Sequence, residues 1–392
     1  MHFRRTSMPM TLGRSKSSAA VALTATLAFV APSVFAQSNV QLYGLIDSGV
    51  EYVNHIGDGQ SVVRIPAGGG EFPSRWGIRG TEDLGGGTSA IFTLESGFNV
   101  RAGDMAQGGR LFGRQAFVGL KGQYGTLAFG RQYNMTYVAL ANSTILGPDM
   151  YGMGNLDTYL PNARTDNTIT YQGAYRELSF GASYSFGRDS TGTGNTPGQG
   201  TCAGSVAGQS TQCRDWTVML KYERQGYGIA ASYDEQRGGP GATAYFFDGL
   251  DTIPLSSSAD KDARAHVGVF GRHGNFRFGA GWVNRRVTIA SGAYPDVHSN
   301  LYFAGLSYQP TAAWLFDGEL YRIINPDHDS RATMGSIRMT YSLSIRTAVY
   351  AQATYIANSA KARYSSSGGG GGTTPNPGVG QMAAMVGMRH SF

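Results

Sequence analysis

Cysteine occurs only twice in these 392 residues, and charged side chains make up just 15% of them. Two cysteines exclude a disulfide-dense secreted scaffold and a four-cysteine metal centre. After residue 36 no stretch approaches the roughly 20 consecutive apolar residues that a membrane-spanning helix needs. Leucine-rich helical stretches are missing as well. There is no G-x-S-x-G elbow, no Walker-type phosphate loop and no H-E-x-x-H pair, which removes three common routes to hydrolysis or phosphoryl transfer. His266 and His298 have no Ser and Asp partners at matching strand depth, so no catalytic residue is assigned. The acid pairs in "PDHD" (326–329) and "DGLD" (248–251) are read as solvated loop rather than calcium ligands. No metal and no cofactor is implied.

What is present begins at the N-terminus. Residues 1–36 carry Arg4, Arg5, Arg14 and Lys16 and no acid, then the apolar run "AAVALTATLAFVA", then Pro32 and "SVFA". A charged start, a short apolar run and small residues before a cut are the parts of an export signal. Residues 1–36 are therefore expected to be a cleaved signal peptide, with the working chain spanning 37–392. Outside that segment 28 basic residues stand against 26 acidic ones, spread along the chain. The basic pI of about 9.2 thus comes largely from the signal, and no clustered basic face for nucleic acid remains. Cys202 and Cys213, with ten residues between them in a Gly/Ser-rich stretch, read as a local disulfide in an exported protein.

From residue 38 onward, apolar and polar residues alternate with period two. In "NVQLYGLIDSGVEY" Val40, Leu42, Ile46 and Val50 share one face, and Gln41, Asp47 and Glu51 the other. "TSAIFTLESGF", "LSFGASYSF", "DWTVMLKYE", "YGIAASYDE", "GSIRMTYSL" and "TAVYAQATY" repeat the pattern. These are half-polar strands. Short turns such as "DLGGG" (83–87), "KGQYG" (121–125) and "RHGN" (272–275) alternate with long Gly-, Ser-, Asp- and Pro-rich loops: 54–70, 99–109, 132–163, 187–214, 238–262, 289–298, 324–332 and 358–380. A soluble sandwich has no need to put all its long loops at one end; an outer-membrane barrel does. The fold expected is all-β: a transmembrane antiparallel β-barrel of about sixteen strands, each roughly ten residues long. In the closing segment "QMAAMVGMRHSF" Met382, Ala384, Val386, Met388 and Phe392 fall on the lipid face, and this strand is expected to pair with the first and close the ring.

The block "SRWGIRGTEDLGGGTSAIFTLESGF" (74–98) closely resembles the general-diffusion porins of the neisserial and beta-proteobacterial type. "LYGLIDSGV", "LFGRQAFVGLKGQYGTLAFGRQ" (111–132), "RTDNTITYQ" (164–172) and "VGMRHSF" fit the same family. The resemblance implies an outer-membrane homotrimer of sixteen-stranded barrels. Each would pass small hydrophilic solutes and ions passively, and its third long loop would fold inward as a constriction. It also implies contact with outer-membrane lipid and lipopolysaccharide, and recognition of Phe392 by the barrel-assembly machinery. Arg75, Arg114 and Arg164 are placed by it as a basic ladder on the wall facing the third loop, with Arg79 below. Asp149 and Asp157 are the acids of that loop. Asp47, Glu51 and Glu95 join the lumen face by parity. Arg114 carries a conflict: it shares parity with Ala116, Val118 and Leu120, which would turn it outward. The resemblance turns it inward and sends Phe117 to the outer surface. Charged rings at the narrowest point set selectivity, so a weak anion preference is expected. The rival reading is a non-conducting barrel acting as adhesin or receptor through its long loops.

Overall fold

The computed structural model describes residues 39–392 apart from 148–149, 158, 161–162, 189–201, 203–206, 247 and 369–370. The expected signal peptide lies outside the described residues. Sixteen strands make the wall: β1 (Asn39–Ile56), β2 (Arg75–Gly85), β3 (Thr88–Gly97), β4 (Gln115–Gly122), β5 (Gly125–Tyr133), β6 (Thr168–Tyr175), β7 (Leu178–Ser185) and β8 (Asp215–Arg224). They continue with β9 (Tyr227–Arg237), β10 (Lys261–His273), β11 (Phe276–Thr288), β12 (Val297–Tyr308), β13 (Trp314–Asn325), β14 (Ser330–Ser342), β15 (Thr347–Asn358) and β16 (Gln381–Ser391). Each pairs antiparallel with the next, and β16 pairs with β1. No edge is left to lipid, which is the condition for a sheet to span a bilayer.

The ring closes on β1, the longest strand. Its first half pairs with β2, from Asn39 opposite Thr81 to Leu45 opposite Arg75. Its second half pairs with β16, from Leu45 opposite Ser391 to Val53 opposite Ala383. Alternation sorts the two faces. Val40, Leu42, Ile46 and Val50 of β1, Val218 and Leu220 of β8, and Leu320 and Ile337 further round are exposed on the outside. Asp47, Glu51, Thr217, Asp234, Glu319 and Ser336 are buried on the inside.

On β12–β15 the inner face is apolar too: Leu301, Phe303, Tyr321, Ile323, Met334 and Ile356 are all buried. The reason is the connection between β5 and β6. Its helix α1 (Met135–Ser143) starts at Asn134, whose side chain accepts from Tyr137 N at 3.1 Å as an N-cap. Leu140 of α1, with Met153, Leu156 and Leu160 beyond it, packs into that inner apolar face as one cluster. The end of α1 meets the wall at Gly268 and Gly279, where an added Cβ would collide with Ser143. The third long loop therefore lies against the inner wall.

Candidate pore-lining site

Two loops and the wall build the lumen. The third loop is tied across by buried polar contacts. Glu319 of β13 accepts from Ile145 N at 3.0 Å, Leu146 N at 2.8 Å and the Thr144 hydroxyl at 3.1 Å. The Tyr159 hydroxyl lies 2.9 Å from Asp234 Oδ2 and 3.1 Å from Asp215 Oδ2. Arg264 of β10 holds Asp157 at 2.8 Å, with Arg264 only 1% exposed.

Arg75, Arg114 and Arg164 come together on the wall beside this loop. Glu95 of β3 is the shared partner of Arg75 and Arg114, and Tyr133 that of Arg114 and Arg164. Arg114 Nε donates to Glu95 Oε1 at 2.6 Å, Arg75 Nε lies 3.9 Å from Glu95 Oε2, and the Tyr43 hydroxyl donates to Oε2 at 2.9 Å. The Tyr133 hydroxyl accepts from Arg114 Nη2 at 2.9 Å and from Arg164 Nη2. The Arg164 guanidinium also sits 4.3 Å above the Tyr133 ring, and Tyr133 stacks on Tyr137 of α1 at 3.8 Å. Two guanidinium groups thus share the Glu95 carboxylate, and the third joins them through Tyr133. Arg79 lies on the same face of β2, bonded through Nη2 to Gln41 Oε1 at 2.7 Å and stacked over Tyr43 at 5.1 Å.

Two expectations need correction. Asp157 does not face the ladder: it is bound to Arg264 on β10, and the acid at the ladder is Glu95 from the wall itself. Phe117 does not turn outward. It pairs with Thr93, on the Glu95 face of β3, whereas Val118 and Leu120 are exposed outside. Arg114 escapes the parity of β4 because that strand begins one residue later, at Gln115, so both statements hold together. Asp149 lies outside the described residues.

The first long loop makes the second side of the lumen, which the sequence pattern did not indicate. Its final residues tuck inside. Phe72 N donates to Asp47 Oδ2 at 2.9 Å, and Asp47 also accepts from the Tyr350 hydroxyl at 2.6 Å. Fully buried Glu71 reaches Arg389 Nη1 at 2.6 Å and Arg338 Nε at 3.4 Å. Arg338 is further held by Asp317 at 2.7 Å. Arg277 of β11 donates to the Thr144 carbonyl at 2.9 Å, just past the end of α1, where the helix dipole is negative. Between these groups and α1 lies a cavity of about 830 Å³. Nothing in a loop containing "AGGGEFPS" signals that Glu71 and Phe72 point inward.

Above the wall, Cys202 and Cys213 form a disulfide with Cα atoms 5.2 Å apart. It is buried with Phe246, Leu255, Val287 and Val297. Loop residues Asp248 and His328 meet alongside, Nδ1 to Oδ2 at 2.6 Å. Phe392 pairs with Gly44 next to the β1–β16 seam. Among the described residues no group of His, Cys, Asp and Glu is arranged to hold a metal.

A closed sixteen-stranded barrel, apolar outside, with charged groups and a folded loop inside, defines a channel protein of the outer-membrane type. The family model for Gram-negative porins matches residues 19–361, and an outer membrane porin of Bordetella pertussis is 32% identical over 85% of this chain and 93% of its own. The chain belongs to the Gram-negative porin family; it is an outer-membrane porin, a water-filled channel for passive diffusion of small hydrophilic solutes. Solved structures share the fold. An anion-selective porin from Comamonas acidovorans superposes with a TM-score of 0.70 at 22% identity, covering 91% of this chain and 100% of that one. OmpT of Vibrio cholerae, in a trimer form, gives 0.61 at 13% identity, covering 91% and 99%.

Proposed function

We propose that this porin is a homotrimer with a weak preference for anions, set by Arg75, Arg114 and Arg164. The observation that carries the proposal is the chain of contacts that joins them, Arg75 and Arg114 on Glu95 and Arg114 and Arg164 on Tyr133, with one carboxylate among three guanidiniums. A unit charge about 6 Å from an ion in water contributes roughly 0.7 kcal/mol. With Glu95 offsetting one of three, the net bias is about 1.4 kcal/mol at low salt, and screening over about 8 Å at physiological salt reduces it. That is a preference, not exclusion. The third loop acts as the constriction beside this ladder, anchored at Asp157 by Arg264. Arg79 is a further basic group on the solute path.

Conduction by this route needs no catalytic residue, metal or cofactor. Residues 1–36 serve as the signal removed on export, and 37–392 as the pore domain. The exposed apolar belt is the surface for outer-membrane lipid and lipopolysaccharide, and the β16 end with Phe392 is what the barrel-assembly machinery engages. The test is the zero-current potential of reconstituted protein across a potassium chloride gradient. The sign expected is that of a chloride-preferring pore, shrinking as salt rises. A potassium-preferring potential would overturn the proposal.

A further inference from the structure

The basic ladder does not use the other side of the lumen, where Phe72 stands between arginines. Its half-buried ring has the Arg389 guanidinium 5.3 Å from its centre and that of Arg338 6.0 Å away. Both guanidiniums are fixed over the ring, one by Glu71 and the other by Glu71 and Asp317, and the ring also borders the cavity. The backbone of Phe72 is fixed as well, through its N–H to Asp47. The third loop lines the same 830 Å³ cavity, with Ala141 exposed and Leu146 buried behind the surface. Arg277 borders the same space. Its recorded hydrogen bonds go to the Asn142 and Thr144 carbonyls, and among the described residues no carboxylate lies within salt-bridge distance of it.

We propose that Phe72, Arg277 and Ala141 of α1 form a station for aromatic monocarboxylates on the solute path. The inference rests on the channel reading and names a solute class for it. A benzene ring packs against Phe72 and Ala141, while its carboxylate takes charge-assisted hydrogen bonds from Arg277. A small aliphatic anion leaves the apolar surfaces unfilled. A second carboxylate on the ring is disfavoured, because Glu71 and Asp317 sit behind the flanking guanidiniums. Phe72 is thus a specificity residue, and Arg277 supplies the charge that orients the solute.

The experiment uses the assembled full-length protein in a planar bilayer carrying a chloride current. Sodium benzoate or sodium acetate is added at equal concentration, and the fractional inhibition by each is read. Benzoate is expected to inhibit about fivefold more effectively than acetate, the size of an ordinary aromatic contact. The benzoate-to-acetate ratio should fall toward one in Phe72→Ala, and benzoate inhibition should also weaken in Arg277→Gln, which serves if the first variant fails to assemble. Equal inhibition by the two anions in the unaltered protein, or an unchanged ratio in both variants, would overturn the station while leaving the channel assignment intact. Protein that carries no chloride current at all would overturn both.

Discussion

Phe392 and Gly44 exchange both backbone hydrogen bonds, each at 3.0 Å, and the Phe392 ring lies against the bare Cα of Gly44 where a Cβ would strike it. The glycine leaves a gap on the outer face of β1 and the aromatic ring fills it. This contact extends the β1–β16 pairing one residue past Leu45 opposite Ser391, toward the end of the seam. Removing Phe392 should therefore lower the amount of assembled barrel without affecting export. Gly44→Val should do the same by pushing the ring off the seam. A half-exposed aromatic contact of this kind contributes about 1 kcal/mol. Heat-modifiable migration on gels measures assembly, and normal levels in both variants would refute the idea.

The third loop is expected to depend on Asp157 and Arg264. The pair is buried, 2.8 Å apart, and Arg264 is also 3.2 Å from Asp262, which binds Arg285 at 2.7 Å. Removing Asp157 leaves Arg264 to share Asp262 with Arg285, so the cost falls below the roughly 3–5 kcal/mol of a buried charge left with no partner. Asp157→Ala should loosen this part of the loop while Glu319 still holds Ile145 and Leu146. Single-channel recordings should then show a noisier and larger conductance. A quiet trace of unchanged size would mean that Asp157 does not hold the loop.

Much of this architecture could be read from the chain, for local reasons. Alternation in β1 and β16 needs only a strand with lipid on one side and water on the other, so Val40, Leu42, Val386 and Met388 declared their face directly. The pattern weakened where that condition fails. Leu301, Phe303 and Tyr321 are apolar toward the lumen because the third loop covers them, so "NLYFAGLSY" is apolar on both faces. Asp157 finds Arg264 across 107 positions, a separation that carries no spacing signal. Glu71 and Phe72 lie in a Gly/Pro loop without any period, so their inward turn is visible only through Asp47, Arg338 and Arg389. Arg114 shows a subtler limit: parity holds only inside a strand, and one residue before its start the rule does not apply.

The loop cap should respond to acid through Asp248. Burial alone would push its carboxyl up, but the hydrogen bond and charge of His328, the Leu250 N–H and the Ser330 hydroxyl outweigh that and hold it below the ordinary carboxylate value. A depressed acid stabilises the folded form above its unfolded pKa, about 3.9, and that contribution is lost as pH falls through the lower folded value. The cap should stay closed from neutral pH down to about pH 4 and loosen only below it. Hydrogen exchange of the 248–250 and 327–330 amides across this range tests it. Protection that is already lost between pH 7 and pH 5, or that Asp248→Asn leaves unchanged at neutral pH, would show that this contact does not hold the cap.

Charge selectivity offers the sharpest test of the ladder, because Glu95 makes the prediction two-sided. Arg75→Glu combined with Arg164→Glu converts two positive charges into negative ones beside an existing carboxylate. With each charge contributing roughly 0.7 kcal/mol at about 6 Å in water, the double change of sign is large enough to carry the pore across neutrality toward cations. Glu95→Gln works the other way: it removes the carboxylate charge and keeps one of the two acceptor oxygens, the one that takes the Arg114 hydrogen bond, while the Tyr43 hydroxyl loses its acceptor. Anion preference should then rise, by at most the same roughly 0.7 kcal/mol. Both shifts should fade as salt rises, since screening acts over about 8 Å at physiological strength. Zero-current potentials for the three proteins at low and high salt measure all of this together. If the double variant keeps the unaltered potential, or if Glu95→Gln moves toward cations, the ladder does not set selectivity.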